Sequence, residues 1–139
     1  MKLTRGADYG ILGILYLASQ PRDRVVLINE IAAAQEVPES YLAKIFQQLA
    51  KAGLVRSHRG ARGGFTLARL PEEITLRQII EAIEGPLALN RCLDPHEGCE
   101  HSADCVVHAA LARVQRTLVS ALDTVTLHSL SSEEQLAQV

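Results

Sequence analysis

The sequence contains no tryptophan, and aromatic residues make up only 4% of its 139 positions. Hydrophobic residues still make up 47%, so we expect a core of aliphatic side chains. A long apolar run is also missing. The most apolar stretch, ILGILYLA at residues 11–18, is far shorter than the roughly 20 residues that span a bilayer. No small-residue cleavage site of the secretory type follows the basic N-terminus. These absences predict a cytoplasmic protein that does not enter a membrane.

The chain also lacks a strong net charge, and its value of −2 does not by itself indicate nucleic-acid binding. The distribution of charge does. Residues 1–70 hold 10 Lys and Arg against 5 Asp and Glu, a net charge of +5, whereas residues 71–139 hold 4 against 11, a net charge of −7. A basic half joined to an acidic half predicts that only the first half meets a polyanion.

Cysteine is scarce and is confined to one segment, which contains Cys92, Cys99 and Cys105 and leads to His108. In the cytoplasm, grouped cysteines bind metals or sense redox state more often than they form disulfides. Cys105 and His108 fall one turn apart on one helical face and can ligate one centre. Cys92 and Cys99 would close over that centre from the preceding loop. The sequence therefore predicts a metal site.

Two kinds of metal centre are compatible with the spacing C-x6-C-x5-C-x2-H. Zinc sites commonly use pairs of cysteines two to four residues apart, and neither gap here is that short. An iron–sulfur cluster is larger and suits wider spacings. A thiol enzyme is disfavoured because no cysteine and histidine form a recognisable nucleophile motif.

The first half of the chain has the pattern of a winged helix-turn-helix. A short helix at about residues 29–35, preceded by a β-prone run at 25–28, is followed by a helix from Pro38 to Ala52 that Gly53 ends. Residues 54–70 then predict two strands around a glycine-rich turn. The second helix can enter the major groove of DNA. Arginines of the hairpin can reach phosphates or a narrow minor groove, namely Arg56, Arg59 and Arg62.

Thr4 and the pair Thr75 and Gln78 mark the starts of two further helices, the pair as a capping box. A long helix is predicted from about residue 104 to 125, and the tail SSEEQLAQV at residues 131–139 is expected to be frayed. Its apolar residues recur in steps of four and three, a seam suited to a helical partner: Val107, Leu111, Val114, Leu118, Ala121 and Val125. The expected fold is mainly α with a small β-wing. Residues 1–71 form a winged helix-turn-helix domain, and residues 72–139 hold a cluster-binding loop and dimerisation helices.

Three segments together resemble the IscR/NsrR/RirA family of winged-helix iron–sulfur regulators, the Rrf-type transcription factors. They are the opening MKLT with Asp8 and Tyr9, the block SYLAKIFQQLAKAGLVRSHRGARGGFTLAR, and the three-cysteine loop leading into a long helix. The resemblance extends over nearly the whole chain. It implies a bacterial homodimer that binds double-stranded operator DNA, has no small-molecule substrate and is not an enzyme.

The resemblance also implies roles for individual residues. Carried over by position, the DNA contacts fall on Ser40, Tyr41, Lys44, Gln47, Arg59 and Arg62. The ligands of the iron–sulfur cluster fall on Cys92, Cys99 and Cys105. The resemblance leaves the fourth ligand as a choice between His108 and Asp8 of the partner subunit.

That choice separates two functions. Ligation by His108 resembles the branch of the family that holds a 2Fe–2S cluster and responds to cluster supply or redox state, and we favour this branch. Ligation by Asp8 resembles the branch that holds a 4Fe–4S cluster and responds to nitric oxide or iron. The first cysteine gap is one residue longer than the five usual in either branch, so both stay open. An alternative of another class is a zinc-stabilised winged-helix module that binds protein.

Overall fold

The described part of the chain is mainly helical, with one antiparallel hairpin between its third and fourth helices. The computed structural model describes residues 2–61, 63–98, 100 and 103–137, with side chains up to residue 132. The elements in chain order are α1 (Arg5–Ala18), α2 (Ile28–Gln35), α3 (Glu39–Lys51), β1 (Val55–His58), β2 (Gly64–Leu67), α4 (Leu76–Glu84), α5 (Val106–Thr124) and α6 (Leu127–Ala137). This arrangement confirms the predicted fold class.

The helix starts follow the capping signals in the sequence. The Thr4 hydroxyl accepts a hydrogen bond of 3.1 Å from the backbone N–H of Ala7 and caps α1. At α4, the Thr75 hydroxyl accepts from the backbone N–H of Gln78, and the Gln78 amide oxygen accepts from that of Thr75. This reciprocal pair is the predicted capping box.

The core lies where α1, α3, α4 and the hairpin meet, and it is largely aliphatic, as the lack of tryptophan predicted. The apolar stripe of α3 faces inward, and Phe46 meets Phe65 of β2 edge-on with ring centroids 5.0 Å apart. Gly13 lets α1 approach closely, because a Cβ there would lie 2.8 Å from the Phe46 ring. Ile74, Ile79 and Leu127 join this core, which therefore crosses the expected domain boundary at residue 71.

The β-prone run at residues 25–28 does not form a full strand. It contributes one bridge, in which the backbone groups of Val26 and Phe65 exchange hydrogen bonds of 2.8 and 3.0 Å. α2 already begins at Ile28 and leaves no further residues to pair. Gly64 permits the bridge, because a Cβ at that position would collide with the Val26 carbonyl.

The expectation of a frayed tail is wrong for residues 131–137, because they belong to α6, which begins at Leu127. Leu127 is fully buried, and its N–H donates to the Ile74 carbonyl at 3.0 Å. The Thr126 and Ser129 side chains each accept a hydrogen bond from the other's backbone N–H and so cap the helix start. No helix in the described residues is long and apolar enough to cross a membrane.

Candidate functional site

One side of α3 presents polar side chains to solvent. Because the helix repeats every 3.6 residues, positions four and three apart share a face, here the face opposite the buried stripe. Ser40, Lys44, Gln47 and Lys51 lie on this face, and all four are exposed. The structure therefore brings three of the predicted DNA contacts together, and Lys51 adds a second positive charge beside them.

Tyr41 lies at the edge of that face rather than at its centre. Its ring meets Tyr9 of α1 edge-on, with centroids 5.6 Å apart, and 43% of the residue remains exposed. A Cβ on Gly6 would lie 3.1 Å from the Tyr41 hydroxyl, so α1 packs closely there. Tyr41 thus holds α3 against α1 while its free edge faces the same side as Lys44.

The hairpin places its glycine-rich turn next to α3. Arg59 is exposed at this turn, Gly60 has a φ of 104°, and the Gly63 N–H donates to the Gly60 carbonyl at 2.9 Å. A positive φ of this kind favours glycine, which has no Cβ to clash. Arg62, the other predicted contact of the turn, lies outside the described residues.

A groove of about 380 Å³ runs between α2, α3 and the turn of the hairpin. Leu27 and Asn29 at the start of α2 line it together with Gln47 and Gly60. Sequence reasoning did not assign Leu27 or Asn29 a role, because the groove arises from tertiary packing and no local motif marks it. The groove and the face of α3 form a continuous candidate DNA interface.

A cluster of polar side chains, Tyr16, Arg24 and Glu30, joins α1 to α2. The Arg24 guanidinium pairs with the Glu30 carboxylate, and the Tyr16 hydroxyl donates to Glu30 at 2.7 Å. The hydrogen bond from Arg24, helped by the one from Tyr16, holds the pKa of Glu30 below its usual value. The same Glu30 contact raises the pKa of Tyr16. The carboxylate is therefore charged at neutral pH and fixes the start of the helix-turn-helix.

The cysteine segment lies between α4 and α5. Cys92 belongs to a short 3-10 turn, Arg91–Leu93, and Cys105 is the residue that precedes α5. Both are half-buried free thiols. Cys99 lies outside the described residues. Across the part of the chain that is described, no three Cys, His, Asp or Glu side chains converge tightly enough to hold a metal ion.

His108 is one turn into α5 from Cys105, as the spacing predicted. Its Nδ1 atom is buried and has no hydrogen-bond partner among the described residues. A buried polar atom without a partner is costly, so its lone pair or proton is available to a group other than the described residues. Asp8, the other candidate ligand, is exposed in the first turn of α1.

α5 carries the predicted apolar seam, and much of it faces solvent. Val107 is 60% exposed and Val114 is 56% exposed, and none of the residues of α5, all of which are described, is buried. The opposite flank of α5 meets the rest of the chain, where Arg77 of α4 pairs with Asp123 at 3.1 Å. Leu111 and Leu118 of the seam are half-buried, so the described residues cover α5 only in part and leave Val107 and Val114 open to solvent.

Comparisons with known proteins give one consistent result. The Rrf2 family model, described as an iron-dependent transcriptional regulator, matches residues 3–133. A protein of Aquifex aeolicus assigned as an HTH-type transcriptional regulator is 40% identical over 102 residues, which are 72% of this chain and 70% of that protein.

Two solved structures extend the likeness to the whole fold. IscR of T. potens matches with a TM-score of 0.79 and 30% identity, covering 100% of this chain and 92% of that one. CymR, the global cysteine regulator of B. subtilis, matches with a TM-score of 0.73 and 29% identity, covering 96% and 98%.

Proposed function

Since this chain belongs to the Rrf2 family of transcriptional regulators, we propose that α3 and the wing bind an operator and that an iron–sulfur cluster controls this binding. The family makes the chain a DNA-binding regulator of the helix-turn-helix type and not an enzyme. One solved relative of the same fold is described as a cysteine regulator, so the cluster proposal rests on this chain's own residues.

The exposed polar face of α3 beside the glycine turn carries the DNA proposal. Gln47 can form a bidentate contact with an adenine edge in the major groove, and Lys44 can reach a guanine edge or a phosphate. Arg59 extends from the turn towards the adjacent backbone or minor groove. We assign the contacts to Ser40, Tyr41, Lys44, Gln47, Arg59 and Arg62.

Selection from short random-sequence duplexes, followed by anisotropy titrations of the selected duplex, tests these contacts. Gln47→Ala should relax the preference at one base pair by about 1–3 kcal/mol. Arg59→Ala should weaken binding to all sequences and lower the salt slope by about 1. Arg116→Ala removes the same charge from α5 and serves as the control. If Arg59→Ala binds like the control, the wing is not part of the interface.

The cluster proposal is carried by two free, half-buried cysteines and a buried imidazole nitrogen without a partner, which fit a metal centre in donor type. Cys92, Cys99 and Cys105 would hold the iron, with His108 as the fourth ligand. When bound, such a cluster supplies a redox-sensitive and oxidation-labile centre whose state can differ between conditions. Cys105 and His108 would hold that centre at the start of α5.

Anaerobic isolation followed by an absorption spectrum and iron and sulfide analysis tests the cluster. We expect a coloured protein containing iron and sulfide, and we expect Cys92→Ala to lose both. A colourless protein that contains zinc would overturn the proposal in favour of a zinc-stabilised module. Anisotropy titrations of the cluster-loaded and cluster-free protein on the selected duplex should give different dissociation constants, and equal values would overturn cluster control.

A second candidate function uses a 4Fe–4S cluster with Asp8 of the partner subunit and responds to nitric oxide or iron. The exposure of Asp8 in the first turn of α1 favours it, since the carboxylate is accessible to another chain. His108→Ala and Asp8→Ala, loaded in parallel, distinguish the two candidates. The variant that loses the cluster spectrum identifies the fourth ligand.

The seam of α5 supports the homodimer. An exposed apolar stripe with a step of three and four residues is typical of a helix that packs on a partner helix. A second copy would cover Val107 and Val114 and bring two DNA-binding units together. This arrangement suits an operator with two half-sites.

A further inference from the structure

A long-range hydrogen bond holds the segment that leads from α4 to Cys92 against α5. The backbone N–H of Leu89 donates to the side-chain oxygen of Gln115 at 2.9 Å, across 26 residues of sequence. The contact is partly buried, and the neighbouring Leu87 is only 9% exposed. Gln115 therefore fixes the approach to Cys92 relative to the helix that begins after Cys105.

Asn90 makes a contact with the thiol itself. Its side-chain Nδ2 lies 3.7 Å from the Sγ of Cys92, within hydrogen-bond range for sulfur. An amide N–H donated to a thiolate stabilises negative charge on the sulfur, and hydrogen bonds to cluster sulfurs help to set cluster potentials. Asn90 follows Leu89 directly, so the Gln115 contact also limits where Asn90 can lie.

We propose that Gln115 and Asn90 are positioning residues for the Cys92 ligand. Gln115 anchors the loop through Leu89, and Asn90 donates to the Cys92 sulfur and favours the reduced, more negative state of the bound cluster. This inference rests on the proposed iron–sulfur function. Its two parts act through different atoms and can be measured separately.

Hydrogen exchange on the cluster-free protein tests the anchor without reference to any cluster. Gln115→Leu removes the acceptor, so the Leu89 amide should exchange at least tenfold faster, since an unprotected N–H exchanges readily. Gln115→Glu keeps a carboxylate oxygen as acceptor and should restore protection. Ser120→Ala, at an exposed position of the same helix, is the control. If Gln115→Leu leaves the Leu89 amide as protected as in the unchanged protein, the anchor is wrong.

A potentiometric titration of the loaded protein with dithionite as reductant tests the donor. Asn90→Ala should shift the one-electron equilibrium towards the oxidised state, and Asn90→Asp should shift it further because a carboxylate replaces the donor. For the aspartate variant we expect about a tenfold change, equivalent to about 59 mV lower potential. Ser120→Asp adds the same charge at an exposed position of α5 away from the seam and should leave the potential unchanged.

The outcomes separate this inference from the function on which it rests. If the unchanged protein takes up no cluster, the proposed function fails and the role of Asn90 fails with it, while the exchange result still decides Gln115. If the protein loads normally and Asn90→Asp keeps the original potential, the function stands and the donor is wrong. If Ser120→Asp shifts the potential equally, the effect is general charge and not a hydrogen bond to Cys92.

Discussion

α3 and α5 are both amphipathic, yet only α3 has fully buried residues within its own chain. α3 spans 13 residues and buries Leu42, Ile45, Phe46 and Leu49, while the 19 residues of α5, all described, include no buried one. The apolar side of α3 meets α1, α4 and the hairpin, whereas Val107 and Val114 of α5 face solvent. The difference indicates that the helix-turn-helix is stabilised within this chain, and it supports the proposed packing of α5 on a second copy.

The largest expected effect tests the first half of that comparison. Phe46→Ala removes a ring that is fully buried against Phe65 and Gly13. We expect the free energy of unfolding to fall by about 3–5 kcal/mol, since a large cavity remains. Urea unfolding followed by circular dichroism measures this.

Val107→Ala on α5 is the matched comparison, because Val107 is 60% exposed in the single chain. Measured in dilute protein, where monomers prevail, it should change the free energy of unfolding by less than about 0.5 kcal/mol. A loss as large as that of Phe46→Ala would show that α5 is packed within its own chain and would break the comparison.

The second prediction tests whether a partner helix packs on the apolar seam of α5. Val114→Asp places a carboxylate in the middle of the exposed seam, where a partner helix would have to desolvate it. The dimer dissociation constant should rise by at least about tenfold, or 1.4 kcal/mol. Sedimentation velocity over a series of concentrations measures it. Ser120→Asp, on the other side of α5, should leave the constant unchanged, and a monomeric unchanged protein would contradict the prediction.

The features that could be predicted from the sequence are mostly those that a local pattern marks. Local patterns determine the α3 stripe, the Thr4 cap and the capping box at Thr75, and the structure has each of them. The wing was predictable because its turn needs glycine. α6 was missed although Thr126 and Ser129 form a reciprocal cap, a signal that was available in the sequence.

Other features had no local signal. The burial of Leu127 depends on the Ile74 carbonyl more than fifty residues earlier in the chain, and the contact of Leu89 with Gln115 crosses 26 residues. The proposed ligand set depends on how the loop between α4 and α5 folds, and the spacing of Cys105 and His108 predicts only the part that lies at the start of α5.

The third prediction compares two helix caps. Thr75→Ala removes the hydroxyl that caps α4, whose Ile79 and Ile80 lie in the core, and should lower the free energy of unfolding by about 1 kcal/mol. Thr126→Ala removes the corresponding hydroxyl of α6, a helix nearer the chain terminus, and should cost about half as much. Urea midpoints with unchanged slopes measure both. Equal losses would show that α6 is as strongly coupled to the core as α4.

The smallest expected effect is the pH dependence of stability that comes from the contacts of Glu30 with Arg24 and Tyr16. The hydrogen bond from Arg24 holds the pKa of Glu30 below its usual value, so the folded state binds this proton less readily than the unfolded chain. The stability that Glu30 contributes is therefore fully present above the unfolded pKa of about 4.3 and is lost as pH falls through the lower folded value.

Glu30→Gln should be less stable than the unchanged protein at pH 7, and the difference should shrink on acidification. Urea midpoints over this pH range measure it. A difference for Glu30→Gln that grows as the pH falls would have the wrong sign and would remove the Arg24 contact as the cause.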